Sequence, residues 1–403
     1  GYGLTGGAYN IFAGYYAASN ATTADYTIAI GSQAIGLGVT TGDNNIALGR
    51  YAGYDLTSGH NNFFVGFYTG FNVTTGIYNI SQGYQAGYDA TTGSYNIFQG
   101  FQAGYNATTV SNSIGIGRSA LGLGVLTGAH NIALGYQAGY DLTSGANNIL
   151  QGYQAGANAT TGHQNIAIGY QAISAGILTG TENIAIGRAA GQDLTSGIRN
   201  FFAGYGAGTN ATTANYSIGI GQTALGLGVL TGDSNVAVGH SAGYDLTSGA
   251  FNVFMGYTAG ANVNTGADNV IIGPNAGIAL ITGSNNIIIG HDAAASATNV
   301  SNEITLGDAN ITDVRIPGVG FYIDGGRVGI GTSTVDTAFN TKLHVAGTIR
   351  TDTGSDSANP AIVFDHDNFA DADANYINVN RTSEAMGFTV NAVQRMIIEA
   401  DGP

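Results

Sequence analysis

The stretch Asn131-Ile-Ala-Leu-Gly-Tyr-Gln-Ala-Gly-Tyr-Asp-Leu-Thr-Ser-Gly-Ala-Asn147 is the unit from which most of this chain is built. The same 17-residue frame recurs, at spacings of 17 or 18 residues, from Asn10 to about Ser301. We number the frame from 1 at its initial Asn, and we call the residues at one frame position in successive units a row. A short fixed period with an unvarying glycine, here at position 5, is typical of a solenoid whose coils stack on one another.

A longer period lies over this frame. Units of 17, 17 and 18 residues together make a block of 52 residues, seen directly in the spacing of Asp141, Asp193 and Asp245. We interpret the block as the product of duplication. The sequence alone indicates no packing reason for a block of three coils.

Composition excludes several classes of protein. The chain has 403 residues, with 66 glycines but only 4 prolines and no Gly-X-Y period, so it is not a collagen. Apolar residues make up 44% and charged residues 9%, which argues against disorder. Cysteine is absent, so disulfides and thiol chemistry are excluded. The net charge of −15 makes nucleic acid and anionic membranes poor partners.

No apolar run approaches the roughly 18 to 20 residues that a membrane helix needs, so we expect no membrane insertion. The chain does not begin with Met, and both ends fall within recognisable patterns. We therefore expect it to be part of a longer polypeptide. Within it we predict three segments: a β-solenoid shaft of about 17 coils at 1–301, a cap or neck at 302–326, and a β-rich C-terminal segment at 327–403.

Within each unit, Asn131 to Gly135 predicts a short strand, and the glycine allows a tight corner. We predict that row 2, which contains Ile132, forms the core. Row 1 is interpreted as an internal ladder of asparagine amides that complete the hydrogen bonds of the turns. The alanines of row 8 indicate close approach of neighbouring chain segments.

Row 3 alternates with row 2 along the strand, and it is also largely apolar. A strand that is apolar on both faces is buried on both faces. We therefore predict that row 3 packs against other copies of the chain around a common axis, in a homotrimer. The candidate axis residues are Phe12, Phe64, Phe98, Leu150, Phe202, Phe254, Ile271 and Ile288.

Row 6 is rich in aromatic residues, and a second aromatic row follows at position 10. Stacked tyrosines could bind glycans, or they could pack coil on coil; their regular recurrence favours packing. The candidate surface or glycan-contact aromatics are Tyr84, Phe101, Tyr136, Tyr153 and Tyr170.

Motifs of enzymes and metal sites are explained by the repeat. The sequence Gly239-His-Ser-Ala-Gly243 has the spacing of a nucleophile elbow but lacks a strand-to-helix context. The histidines form no metal-ligand spacing, so we predict no metal site, no cofactor and no catalytic residue. The Asp and Asn residues of row 11 are interpreted as turn residues, with a row of calcium sites as the alternative. Asp365–Asp373 is a second calcium candidate without the pattern of an EF-hand loop.

Two stretches resemble known families. The sequence Asn-Ile-Ala-Ile-Gly at Asn165 and Asn183 resembles the head repeats of YadA-like trimeric autotransporter adhesins, which implies a parallel β-roll of three chains. The segments that begin at Asn302, Val328 and Lys342 resemble parts of phage tail fibre proteins that follow such repeats. The resemblance implies a virion appendage, or another extracellular or cell-surface location.

We therefore expect a structural and adhesive trimeric fibre, not an enzyme. The favoured interpretation is a phage tail fibre that serves host recognition, with a cell-surface receptor or glycan as partner, bound here or through another part of the fibre. The alternative is a bacterial surface adhesin or extracellular filament with the same fold. A more distant alternative, a β-solenoid polysaccharide depolymerase, needs paired carboxylates in a groove, and the frame offers no such pair within one coil.

Overall fold

The computed structural model describes residues 1–312 and six further strands. The chain divides into two compact units, Gly1–Ile311 and Thr312–Pro403. The strands of the first unit are β1 Ile11–Ala13, β2 Ile28–Ile30, β3 Ile46–Leu48, β4 Phe63–Val65, β5 Ile80–Gln82, β6 Ile97–Gln99, β7 Ile114–Ile116, β8 Ile132–Leu134, β9 Ile149–Gln151, β10 Ile166–Ile168, β11 Ile184–Ile186, β12 Phe201–Ala203, β13 Ile218–Ile220, β14 Val236–Val238, β15 Val253–Met255, β16 Val270–Ile272, β17 Ile287–Ile289 and β18 Ile304–Leu306.

These strands form one parallel sheet of 18 members in sequence order, each paired with the strand one coil before and one coil after. Pairing is in frame register, so that Ile132, for example, lies opposite Ile149. The predicted parallel β-solenoid is thus confirmed. The sheet continues through β18, and its compact unit ends at Ile311 rather than at Ser301, inside the segment predicted as a neck.

Each coil turns at positions with positive φ. Gly135 has φ of 136°, and a Cβ there would lie 2.4 Å from the carbonyl oxygen of Gly152 in the next coil. The fixed glycine of position 5 therefore serves both the backbone angle and the stacking distance. Gln137 and Asn147 have φ of 52° and 60°, so two further corners use non-glycine residues in the left-handed region.

The predicted core and the predicted trimer axis exchange places. Row 3 lies inside the single coil: Phe64 and Phe98 are 0% exposed, and Phe12, at the first coil, is partly buried. Row 2 lies outside and is partly exposed, as at Ile149. The prediction that row 3 packs between copies is therefore wrong for the buried candidates Phe64, Phe98, Leu150, Phe202, Phe254, Ile271 and Ile288. The pleat separates the two rows, and the narrow coil encloses row 3 together with the alanines of row 8.

The interior also explains the block of three coils. In the 18-residue coils, a large side chain such as Leu121 enters at position 9, whereas row 3 of that coil holds only Gly115. Two coils later, Leu150 fills row 3. Gly139, between them, has Leu150 Cδ1 and Leu121 Cδ2 only 2.8 and 3.1 Å from where its Cβ would be. Large residues thus alternate with small ones because the interior has room for about one large side chain at each level.

The predicted asparagine ladder of row 1 is confirmed. The Asn148 side chain donates to Asn131 Oδ1 (3.0 Å) and to the Gly162 carbonyl (2.9 Å). Its own Oδ1 accepts the Asn165 backbone N–H at 2.9 Å. These asparagines are buried, so their amides satisfy backbone groups that water cannot reach.

The second unit is described only by its strands. β19 Phe321–Ile323 pairs antiparallel with β20 Val328–Ile330. A separate four-stranded antiparallel sheet contains β21 Ala361–Phe364, β22 Asn375–Asn380, β23 Ala385–Val390 and β24 Val393–Ile398. Among all the described residues of the chain, no helix is long and apolar enough to cross a membrane.

Candidate functional site

The outward side of the long parallel sheet is a candidate interaction surface. We call it the outer sheet face and define it as rows 2 and 4 of β1 to β18. Its members are partly exposed on the isolated chain: Ile116 is 38%, Ile186 is 41% and Met255 is 42% exposed. Row 2 contains only Ile, Phe and Val.

The outer sheet face carries no charged residue. Its polar members are three glutamines of row 4, namely Gln82, Gln99 and Gln151. Its 18 strands, at about 4.8 Å spacing and roughly 10 Å length, cover about 800 Å². Monomeric proteins rarely expose an apolar patch larger than a few hundred Å², so a surface of this size indicates a contact with another molecule.

A second candidate is the edge formed by row 6, which we call the aromatic edge. Its tyrosines stack coil on coil: Tyr136 and Tyr153 have ring centroids 5.0 Å apart at 8°, and Tyr153 and Tyr170 are 4.9 Å apart at 6°. Tyr84 and Phe101 stack in the same way, 5.1 Å apart at 11°. The stacking is the structural role that the regular recurrence of the row favours.

Stacking limits how the aromatic edge can bind a sugar. The outer faces of the short stacks are covered as well, since the Arg118 guanidinium carbon lies 5.4 Å from the Phe101 centroid and 5.8 Å from that of Tyr136. Ring faces, which would cover a sugar ring, are therefore occupied. Ring edges and hydroxyl groups remain accessible, because Tyr153 and Tyr170 are 42% and 46% exposed.

Row 11 places aspartates in partly buried turns. Burial raises the pKa of the Asp55, Asp141 and Asp193 carboxyl groups. Oδ1 of Asp55 is buried and has no hydrogen-bond partner. In this row the Asn72 side chain donates to the Asp89 carboxylate, as expected for alternating Asp and Asn that serve turns. The other calcium candidate, Asp365–Asp373, lies outside the described residues.

One group of possible metal ligands was missed by the sequence analysis. His291, Asp292 and Asp308 bring their ligand atoms within 4.8 Å of one another near the end of the long sheet. All three are exposed or partly exposed, and hydrogen bonds from Asn310 lower the pKa of Asp308. The spacing of one coil between Asp292 and Asp308 was the available signal. Exposed acidic groups often gather in this way without binding an ion, as they do at many protein surfaces.

The nucleophile-like motif brings Ser241 beside His240, with Oγ 3.0 Å from Nδ1. A Ser–His pair becomes a nucleophile when a third group orients the imidazole and donors await the oxyanion. Across residues 1–312, no carboxylate hydrogen-bonds His240, and its ring instead stacks on Tyr257 at 5.1 Å. The pair therefore lacks the orienting group of a triad there.

The fold and these surfaces define an all-β repeat protein, a parallel β-solenoid with 17-residue coils and two unusual exposed surfaces. Searches of protein-family models, curated proteins and solved structures found no match to this chain. Its function is therefore argued from the outer sheet face and the aromatic edge alone.

Proposed function

We propose that this protein is the shaft of an adhesive extracellular fibre, in which copies of the chain pack through their outer sheet faces. The single observation that carries the proposal is the exposed, uncharged apolar sheet of β1 to β18. Its area of about 800 Å² equals what one partner buries in a standard protein–protein interface of roughly 1,600 Å² in total.

The contact between copies moves from row 3 to rows 2 and 4, but the reasoning for a trimer is kept. Around an axis parallel to the rod, three copies would each present one flat face to a common core. The rows have the same register in every coil, so one favourable contact is repeated along the whole length. A rigid rod with several copies of each binding edge also gains avidity without new contacts.

Within this class of fibre, a phage tail fibre is the proposal that the resemblance of the segments at Asn302, Val328 and Lys342 supports. The shaft would hold a receptor-binding region away from the virion. This part of the proposal is tested by electron microscopy of intact particles with an antibody against the shaft. Labelled appendages are expected, and label confined to a bacterial surface would contradict it.

Self-association is tested by sedimentation equilibrium of the full chain. The expected mass is near three chains, or about 122 kDa from three times 40.8 kDa. The double variant Ile116→Asp/Ile186→Asp should sediment as single chains, because association would bury two unpaired carboxylates. Leu123→Asp is the matched control: Leu123 is 53% exposed but lies off the sheet.

The outcomes separate cleanly. A single-chain mass for the unaltered protein overturns the proposal, as does a variant Ile116→Asp/Ile186→Asp that associates as well as the control. Circular dichroism of each protein shows whether the coil itself is intact.

A further inference from the structure

The basic residues of the first unit are concentrated on one row. Between Gly1 and Ser301 the chain has four basic side chains, and Arg50, Arg118 and Arg188 all occupy position 6, on the aromatic edge. They are four coils apart in each step, which corresponds to roughly 19 Å along the rod. The fourth, Arg199, lies on another row and pairs with Glu182 at 2.8 Å.

The acidic residues of the same region lie elsewhere. They occupy position 11 or the last two positions of a coil, except for Asp292 near the end of the unit. These acidic residues are Asp25, Asp43, Asp55, Asp89, Asp141, Glu182, Asp193, Asp233, Asp245 and Asp268. The aromatic edge from Arg50 to Arg188 is therefore a positively charged line on a chain whose net charge is −15.

The three arginines are held ready and remain unpaired. The Arg188 guanidinium carbon lies 5.4 Å from the Tyr170 centroid and 5.5 Å from that of Tyr205, and Arg118 is stacked in the same way. Rings on both faces leave the in-plane N–H donors directed away from the stack. All three are exposed, and in residues 1–312 no ion pair or side-chain hydrogen bond engages them.

Groups that suit sugar hydroxyls lie between the arginines. The hydroxyls of Tyr136, Tyr153 and Tyr170 make no hydrogen bond within residues 1–312, and their rings are fixed by stacking. Beside them, Gln154 and Gln171 form an amide ladder, with Nε2 of Gln171 donating to Gln154 Oε1 at 3.0 Å. Rigid donors and acceptors along one line bind an extended ligand with little loss of side-chain entropy.

We propose that the aromatic edge from Arg50 to Arg188 binds an acidic polysaccharide along the rod. The guanidinium groups would pair with its carboxylate or sulfate groups, while tyrosine hydroxyls and glutamine amides bond its hydroxyls. The inference gives the adhesive fibre its ligand, and to that extent it rests on the proposed function.

Single-stranded nucleic acid fits this edge less well. Such ligands are bound by stacking bases on free aromatic faces, and the faces here are already occupied. Nucleic acid also carries one phosphate per roughly 3.4 Å of each strand, far denser than arginines roughly 19 Å apart. On a chain of net charge −15, the dense polyanion would be repelled by the other rows.

The test is binding of the full chain, by biolayer interferometry at low salt, to immobilised hyaluronan, polygalacturonate and heparin, with dextran as the neutral control and oligo-dT as the competitor class. Arg118→Gln should weaken binding by about tenfold, the effect of one charge-assisted contact. The row tolerates this change, because Gln222 occupies the same position. Tyr153→Phe, which removes only a hydroxyl, should weaken binding about threefold to tenfold.

Arg199→Gln is the matched control, with the same change of charge on another row, and its binding should stay within about twofold of the unaltered chain, as for an exposed ion pair. Equal losses for Arg118→Gln and Arg199→Gln would overturn the proposal. So would equal binding to dextran, tighter binding to oligo-dT, or no binding to any of the three acidic polysaccharides. The sedimentation mass is independent of these outcomes: a single-chain protein that binds hyaluronan would overturn the fibre but not the binding edge.

Discussion

Replacing one asparagine inside the row 1 ladder should destabilise the solenoid by a predictable amount. Asn148→Ala removes the donors to Asn131 Oδ1 and to the Gly162 carbonyl, and it removes the acceptor of the Asn165 N–H. Asn131 Oδ1 still accepts the backbone N–H of residue 148. Two buried backbone groups, at Gly162 and Asn165, are therefore left without partners.

Each buried unpaired group costs about 1 to 3 kcal/mol, so we expect Asn148→Ala to lower the free energy of unfolding by about 2 to 6 kcal/mol. Asn148→Ser should cost about half as much, because serine restores one acceptor. Ser113 shows this in the native ladder, where its Oγ accepts the Asn131 N–H at 3.1 Å. Asn148→Asp should cost more than alanine, because a carboxylate would face the Asn131 oxygen without a donor.

The assay is urea unfolding followed by circular dichroism, together with amide hydrogen exchange to locate the loss. Because each coil contacts only its neighbours, exchange should rise mainly between Asn131 and Gly180. Asn158→Ala is the control in the same coil: its side chain is partly exposed and makes one bond, 3.1 Å, to the Ala175 carbonyl. The reasoning is refuted if Asn148→Ala costs no more than Asn158→Ala, or if Asn148→Asp is as stable as the unaltered chain.

Three further changes test the packing. Phe254→Ala should cost about 3 to 5 kcal/mol in thermal or urea unfolding, independent of protein concentration, whereas Phe251→Ala, at a 62% exposed ring, should cost under about 1 kcal/mol. Gly152→Ala should lower soluble yield and melting temperature, because its φ is 135° and its Cβ would meet backbone at 2.3 Å; Gly6→Ala, with its nearest neighbour at 3.9 Å, should not. Asp141→Asn should stabilise the chain at neutral pH, since burial raises the pKa of this carboxyl and the folded state favours its neutral form. That advantage should disappear below the ordinary aspartate pKa of 3.8 and grow as the pH rises through the raised pKa, and a constant difference in melts across this range would contradict it.

The sequence predicted the solenoid and the asparagine ladder because both depend on period alone. A spacing of 17 residues places equivalent residues one above another whatever the shape of the coil. Period does not determine which side of a strand faces inward, so rows 2 and 3 were assigned to the wrong sides. The missed signal was size: row 2 is uniformly large, as on a surface with free room, whereas row 3 alternates Phe98 with Gly115 and Ala133.

The candidate surfaces were predicted less completely. The aromatic recurrence of row 6 was visible, but its ring faces are blocked only because coils bring Tyr136 and Tyr153 to 5.0 Å in nearly parallel planes. That planarity also explains the arginines, since a guanidinium can take the place of a ring in the stack. The approach of Asp308 to His291 depends on how the chain leaves the last coils, which no repeat frame specifies.

The most direct measurement of which row faces outward is thiol labelling, since the chain has no cysteine of its own. Leu150→Cys, at a side chain that is 0% exposed, should stay unreactive in the folded protein at every concentration. Its neighbour Ile149→Cys, at a position 37% exposed on the single chain, should be protected in the assembled fibre and should react once the copies dissociate on dilution. A Leu150→Cys thiol that reacts on dilution, while Ile149→Cys stays silent, would contradict the fold and return row 3 to the interface between copies.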